Sequence, residues 1–326
     1  MKALLCKAFG PPDTLVVEDI ESPALGPTAV RVAVHACGVN FPDTLIIEGK
    51  YQFRAEPPFS PGGEVAGEIM EVGEKVKHLQ KGDRIMLVTP YGGYAEEIVV
   101  PGMGSWHIPK EMDYVTAASL PMAYGTSLYA LKQRGQLKSG ETLLVLGAAG
   151  GVGLAAVQLG KCLGAKVIAA ASTDEKLELC KRNGADEVIN YSNENLKERV
   201  KALTGGQGAD VIYDPVGGDL FQQCLSAVNW NGRILVIGFA SGTIPEAAIN
   251  RTLLKSSSIV GVFWGASLMR EPQANMENFE QIKAWFEEGR IQPHVSQTYS
   301  LEEAAQAMKD MVDRKATGKL VVKVRD

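Results

Sequence analysis

"TLLVLGAAGGVGLAAVQLGKCLGA", residues 142–165, decides the fold. A continuous apolar run over 142–147 turns through a glycine-rich segment into an amphipathic stretch. Gly150, Gly151 and Gly153 stand where a backbone must approach a pyrophosphate and where a helix must pack on its strand. The helix N-terminus, at Gly151 and Val152, presents oriented N–H donors to such an anion. Ala148 takes the place of the first glycine of the usual G-x-G-x-x-G, so the turn by itself is a weak signal. Its setting strengthens it.

Working outward, the strands "TLLVLG" (142–147), "KVIAAA" (166–171), "EVIN" (187–190), "DVIYD" (210–214), "RILVIG" (233–238) and "SIVGVFW" (258–264) alternate with amphipathic segments such as "DEKLELCKRNG" and "NLKERVKALTG". Apolar strands separated by helices predict a parallel sheet covered on both faces, here a doubly wound six-stranded Rossmann domain of class α/β that binds a dinucleotide. Residues 1 to about 115 instead alternate short β-type runs with Gly/Pro turns and predict a compact β-rich domain. From Tyr114, "YVTAASLPMAYGTSLYALKQRG" takes helical spacing and stops at Gly135. Two further helices follow, "NFEQIKAWFEEG" and "LEEAAQAMKDMVD", and the closing strand "GKLVVKV" is expected to return to the first domain. The expected boundaries are therefore 1–120 plus 266–326 for the β-rich domain and 121–265 for the Rossmann domain.

The chain is 326 residues long, 45% hydrophobic and 22% charged, with a formal net charge of −5. No basic run stands out, which argues against nucleic acid or an anionic membrane as partner. No segment approaches the 18 or more apolar residues of a membrane span. The N-terminal apolar stretch is too short for a signal peptide. Five cysteines, Cys6, Cys37, Cys162, Cys180 and Cys224, lack any CxxC spacing and suit free thiols in a reducing cytoplasm.

The stretch "KVIAAASTDEK" (166–176) bears on which dinucleotide is held. An acid at this strand end would pair with a ribose 2′-hydroxyl and repel a 2′-phosphate. Here the strand ends at Ala171, Ser172 can donate a hydrogen bond, and Lys176 adds positive charge one helical turn on. Tyr191, after the third strand, is placed to close over the adenosine. The alternative is that Ser172 caps the helix and Lys176 is a surface charge. NADPH is favoured over NADH, with Asp174 as the opposing sign.

Two common hydride-transfer arrangements are missing. None of the nine tyrosines has a lysine four residues later, and the four histidines, His35, His78, His107 and His294, are scattered without ligand spacing. The pieces "ACGVNFPDT" (36–44), "PGGEVAGEIMEVG" (61–73), "KGDRI" (81–85), "AAGGVG" (148–153), "GADVIYDPVGG" (208–218) and "ATGKLVV" (316–322) resemble the zinc-independent quinone oxidoreductase branch of the medium-chain dehydrogenase/reductase superfamily, over essentially the whole chain. The resemblance implies a GroES-like catalytic domain beside the Rossmann domain. In zinc-dependent relatives the ligands would fall on Asn40, Gly63 and about Met122, none of them a competent catalytic zinc ligand. "LVTPYGGYAEE" is too short for a structural zinc lobe, so no metal is expected.

Without zinc, an alcohol is hard to ionise, whereas a quinone or another α,β-unsaturated carbonyl accepts hydride readily and needs only positioning, water exclusion and one proton. Asn40 is placed to hydrogen-bond the nicotinamide ribose or the acceptor oxygen, or else to close a turn. Tyr51 matches the loop tyrosine of related enoyl-thioester reductases and is the candidate proton donor, or else lines the pocket. Asp43 is expected to brace the loop. Val216 and Gly217, Gly238 and Phe239, and Phe263 and Trp264 end the later strands and are expected near the nicotinamide, with core packing as the alternative, more for Val216 than for Trp264. Thr126 resembles a cofactor-contacting threonine, and Lys319 a lysine near the cofactor or an exposed turn residue.

The resemblance leaves other activities open. One is an enoyl-thioester reductase acting on acyl-CoA or acyl-carrier substrates, for which Lys50 and Arg54 would serve the phosphates. Another is a low-turnover NADPH-binding protein like the lens crystallins of this branch. RNA binding, also attached to the branch, gains little support from the acidic balance. The apolar strand 258–264, at a sheet edge, predicts a homodimer.

Overall fold

The computed structural model describes residues 1–325. The chain opens with β1 (Lys2–Leu5), β2 (Val16–Asp19) and β3 (Ala29–Val39), then α1 (Phe41–Ile47), β4 (Glu64–Val72), β5 (Arg84–Val88), β6 (Glu97–Pro101), β7 (Ser105–His107) and α2 (Tyr114–Ala117). Next come α3 (Pro121–Leu128), a π-helical turn over Tyr129–Arg134, β8 (Thr142–Val145), α4 (Gly151–Cys162), β9 (Lys166–Ala171), α5 (Asp174–Arg182), β10 (Glu187–Asn190), α6 (Leu196–Leu203), β11 (Ala209–Asp214), α7 (Gly218–Ala227) and β12 (Val228–Val236). The rest is α8 (Asn250–Leu253), β13 (Ser258–Gly261), α9 (Trp264–Arg270), α10 (Pro272–Glu287), β14 (Val295–Ser300), α11 (Ala304–Val312) and β15 (Lys319–Lys323). Among the described residues no helix is long and apolar enough to cross a membrane.

Two compact units result: Met1–Met122 with the stretch from Pro293 onward, and Ala123–Gln292. In the first, a seven-stranded sheet runs β14-β15-β3-β4-β5-β7, with β6 also on β3, beside the pair β1-β2. β15 joins β3 antiparallel, with Val322 opposite Cys37. The interior combines Val30, Val32, Val34, Cys37 and Val39 of β3 with Val65 and Ile69 of β4 and Leu320 and Val322 of β15.

The second unit holds a six-stranded, all-parallel sheet ordered β10-β9-β8-β11-β12-β13. Burial on both faces makes its central strands uniformly apolar, as in the five buried residues of "KVIAAA". The last expected strand stops at Gly261, and Trp264 opens α9. The helical stretch expected to stop at Gly135 ends there, but as a π-turn with Gly135 at φ −80°, so glycine's left-handed freedom plays no part.

The expected boundary at 265/266 is corrected to 292/293, because α9 and α10 are built into the second unit. Trp264 donates its indole N–H to Asn275 Oδ1 at 2.8 Å and lies 6.2 Å from the Phe279 ring. Tyr129 donates to Glu271 at 2.9 Å, and the Gln133 and Asn278 amides pair reciprocally. These polar pairings were invisible to an argument from apolar periodicity.

Buried Gln158 of α4 holds both ends of this unit. Its Oε1 accepts from the Tyr124 hydroxyl at 2.8 Å and from Gln292 N at 2.9 Å, while Nε2 donates to Gln292 O at 2.9 Å and Asn183 Oδ1 at 2.6 Å.

Candidate functional site

In the second unit, β8 and β11 are neighbours from which the chain winds outward in opposite directions, which creates a ligand crevice at their carboxyl ends. After β8 the turn must close tightly. A Cβ at Gly153 would lie 2.3 Å from Gly147 O, so only glycine lets α4 fold against the turn. Gly150 caps α4 with no side-chain hydrogen bond, and Gly150, Gly151 and Val152 stay partly exposed. The helix therefore offers its first N–H groups with no side chain over them, a donor set that fits a pyrophosphate. Ser127, one residue after the expected Thr126, donates to Val152 O at 2.9 Å and fixes the turn. Thr126 is half-buried on α3.

The turn after β11 lies alongside: a Cβ on Gly147 would come within 3.0 Å of Val216 Cγ2. Asp214 Oδ1 accepts from Val216 N at 2.8 Å and Gly217 N at 2.9 Å. Burial raises this carboxyl above its ordinary range, and the two N–H bonds oppose the rise. Phe239, following β12, closes on Gly217, whose Cβ would meet its ring at 3.0 Å. The structure thus brings Gly150, Gly151, Val152, Val216, Gly238 and Phe239 to one end of the sheet. The core alternative fits the other residue of the set: Trp264 is 3% exposed and hydrogen-bonded inside, while Val216 is half-exposed. Phe263 remains 55% exposed.

At the end of β9, Ala171 pairs with Asn190. The cap of α5 is Thr173, which accepts from Lys176 N at 3.3 Å, so the alternative of Ser172 as cap is corrected. The Ser172 hydroxyl makes no hydrogen bond among the described residues. Ser192 donates its hydroxyl to Ser172 O at 2.9 Å, and Tyr191 N to Ala171 O at 3.1 Å, which holds half-buried Tyr191 beside this strand end.

The first unit carries a buried polar cluster. Glu64 is completely buried at the start of β4. Its Oε1 accepts from Met122 N at 2.7 Å, and its Oε2 from Asn40 Nδ2 and Lys319 Nζ, both at 2.8 Å. Lys319 also donates to Asn40 Oδ1 at 2.6 Å and Val39 O at 3.0 Å. The alternative that Lys319 is an exposed turn residue is corrected: it is 4% exposed, and its three N–H groups are all committed within this unit. Asn40 stands at the N-cap of α1, but its side chain makes no capping hydrogen bond, so it does not close the turn as the alternative supposed: Asp43 accepts from Asn40 N, and the Asn40 amide is engaged by Glu64 and Lys319.

The positions that the resemblance equates with metal ligands, Asn40, Gly63 and Met122, converge here. Asn40 and Met122 N bond the same carboxylate, and Gly63 precedes it. Asp43 lies alongside, accepting on Oδ2 from Asn40 N at 2.8 Å and the Tyr94 hydroxyl at 3.2 Å. A Cβ on Gly63 would stand 3.8 Å from Asp43 Oδ1. Burial pushes the Asp43 carboxyl up to about 7, and it holds the Tyr94 hydroxyl and the Cys37 thiol well above their ordinary values. No group of three or more His, Cys, Asp or Glu side chains able to hold a metal occurs among the described residues.

Tyr51 follows α1 after Gly49, which turns the chain at φ +66°. It is half-buried against the apolar interior, and its hydroxyl has no hydrogen-bond partner among the described residues. Burial first, then the charge of Asp43, raises its pKa. Sequence reasoning missed Glu64 and Tyr94, because the pairing of Glu64 with Lys319 spans 255 positions and leaves no local pattern.

Comparison with known proteins gives two family models: an alcohol dehydrogenase GroES-like domain over residues 26–110 and a zinc-binding dehydrogenase over 151–281. The chain is 44% identical over 328 residues to the quinone oxidoreductase-like protein 2 homolog of Nematostella vectensis, covering 99% of this chain and 89% of that one. Among solved structures it is similar to Pseudomonas syringae quinone oxidoreductase (33% identity, TM-score 0.92, 99% of each chain). It is also similar to Escherichia coli quinone oxidoreductase complexed with NADPH (28% identity, TM-score 0.92, 99% of this chain and 100% of that one).

Proposed function

Because the chain belongs to the quinone oxidoreductase branch of the medium-chain dehydrogenase/reductase superfamily, we propose that it reduces quinones or related α,β-unsaturated carbonyls with NADPH and without a metal ion. One observation carries the metal-free part. The three positions where zinc-dependent relatives would hold their metal offer an amide locked by Glu64 and Lys319, a residue with no side chain, and a methionine whose backbone N–H is bonded to Glu64.

NADP(H) is the cofactor, and when bound it supplies the hydride. The N–H groups at Gly150, Gly151 and Val152 hold its pyrophosphate, and Ser172, Lys176 and Tyr191 its ribose phosphate. Thr126, Val216, Gly238, Phe239 and Phe263 line the nicotinamide end. Tyr51 gives the proton: as the acceptor gains a hydride, its oxygen takes H⁺ from the Tyr51 hydroxyl, which is replenished from water, so each turnover adds one hydride and one proton. Asn40, Glu64 and Lys319 are positioning residues. They anchor the start of α1, and α1 leads into Tyr51.

A thioester substrate would need cationic partners at the mouth. Lys50 instead pairs with Glu48 at 2.5 Å, and Arg54 lies over the Phe9 ring at 4.8 Å. We also propose a homodimer through β13, one of the two edge strands of the six-stranded sheet.

The test is NADPH consumption by chelator-treated protein with ortho-quinones, para-quinones, enones and an enoyl-CoA. Quinone-dependent oxidation unaffected by chelation is expected. Turnover with the enoyl-CoA alone, or with nothing despite tight NADPH binding, would overturn the quinone assignment.

A further inference from the structure

Asp174 opens α5 just beyond β9, between Ser172 and Lys176, two of the residues assigned to the ribose phosphate. An exposed carboxylate there would favour a ribose 2′-hydroxyl and repel a 2′-phosphate. The structure gives that carboxylate a partner. Asn190, the last residue of β10 and 6% exposed, donates Nδ2–H to Asp174 Oδ1 at 2.7 Å. The direction of this amide is fixed by its other end, because Asn190 Oδ1 accepts from Ser192 N at 3.2 Å. Turning the amide over would set its NH₂ against that N–H and leave two carboxyl and carbonyl oxygens facing each other. Glu194 holds the backbone as well, its Oε2 accepting from Asn190 N at 2.9 Å.

Resting on the NADP(H) reading above, we propose that Asn190 is a positioning residue for cofactor choice: it binds the Asp174 carboxylate to β10 and so keeps it from meeting a 2′-phosphate. The acid that speaks against NADPH in the sequence is thereby tied down by a buried amide. Asn190 acts only through Asp174.

The experiment titrates NADPH and, separately, NADH into the full-length protein, following binding by fluorescence, for the wild type, Asn190→Ala, Asp174→Asn and the double variant. Releasing one charge near a doubly charged phosphate at an exposed site is expected to weaken NADPH roughly fivefold in Asn190→Ala. NADH affinity should change less than about twofold, and the Asn190→Ala effect should vanish in the Asp174→Asn background. Equal loss for both cofactors, or a loss that persists without Asp174, would show a merely structural role and overturn the proposal. If Asn190→Ala fails to fold, Asn190→Leu, of nearly the same shape and without a new charge, replaces it, with the same direction expected and the same rescue by Asp174→Asn. A wild type that prefers NADH overturns the cofactor reading itself. A wild type that prefers NADPH, with an unmoved ratio in the variant, overturns only the role of Asn190.

Discussion

Glu64 and Lys319 stand 255 positions apart in the chain and 2.8 Å apart in space, both buried. A buried pair of this kind contributes little net stability against a well-packed apolar pair, but removing one partner strands a charge in the interior. Two neighbours depend on the pair: Asn40 bridges both members and Met122 N completes the carboxylate.

Lys319→Met should therefore lose about 3–5 kcal/mol of unfolding free energy, measured by urea denaturation. Lys319→Met with Glu64→Gln should regain most of it. A single variant that loses less than about 1 kcal/mol would mean that Glu64 does not need this counter-charge.

Tyr51→Phe removes the only group assigned to proton transfer and leaves the ring packing intact. With a quinone, kcat/KM should fall by roughly 10²-fold, while the Kd for NADPH, read by fluorescence, stays within twofold. A wild-type rate in the variant would assign the proton to water and reduce Tyr51 to lining.

Asp43 predicts a pH dependence of stability. Its folded pKa, raised by burial to about 7, exceeds the unfolded value of 3.8, so the native state binds more protons between these limits. Stability contributed by the neutral carboxyl is fully present below about pH 4 and is lost as pH rises through about 7. Compared with Asp43→Asn, whose amide oxygen accepts the same two bonds, the wild type should weaken by a few kcal/mol between pH 4 and pH 8. Parallel denaturation curves for the two proteins across that range would contradict the raised pKa.

Sedimentation at micromolar concentration should give a dimer. The segment preceding β13 exposes Ile249, Leu253 and Leu254 at 68%, 78% and 74%. Leu253→Asp should move the protein toward monomer with its secondary structure, followed by circular dichroism, unchanged. A wild-type monomer would exclude pairing through this edge.

The parallel sheet was legible because its strands have apolar centres and several of its turns are marked by glycine: "KVIAAA" and "EVIN" match β9 and β10 residue for residue. α1 went unread, because seven residues beginning Phe41-Pro42 are too few to show a helical period. The strand "SIVGVFW" was read too long, since an apolar run alone does not distinguish an edge strand from the buried start of a helix at Trp264. At the site, the glycine turn and the end of β9 announced themselves through residue type. The burial of Lys319 was not legible because its surroundings come from the ends of β3 and β4, far away in sequence, and Thr173 was passed over for Ser172 because both can cap and only backbone geometry chooses.

The four hydrogen bonds of Gln158 have a topological meaning. Tyr124 and Gln292 reach the same side-chain oxygen, so the polypeptide enters and leaves the nucleotide-binding unit at a single point. That unit is in effect a cassette, a segment whose ends already meet, inserted into a host whose own two segments rejoin in one sheet through β15 and β3. Such a segment can be cut out, replaced or permuted by joining ends that are neighbours in space. Asn183, just past the end of α5, ties the same glutamine to that helix, so the closure of the cassette is braced from within the cassette itself.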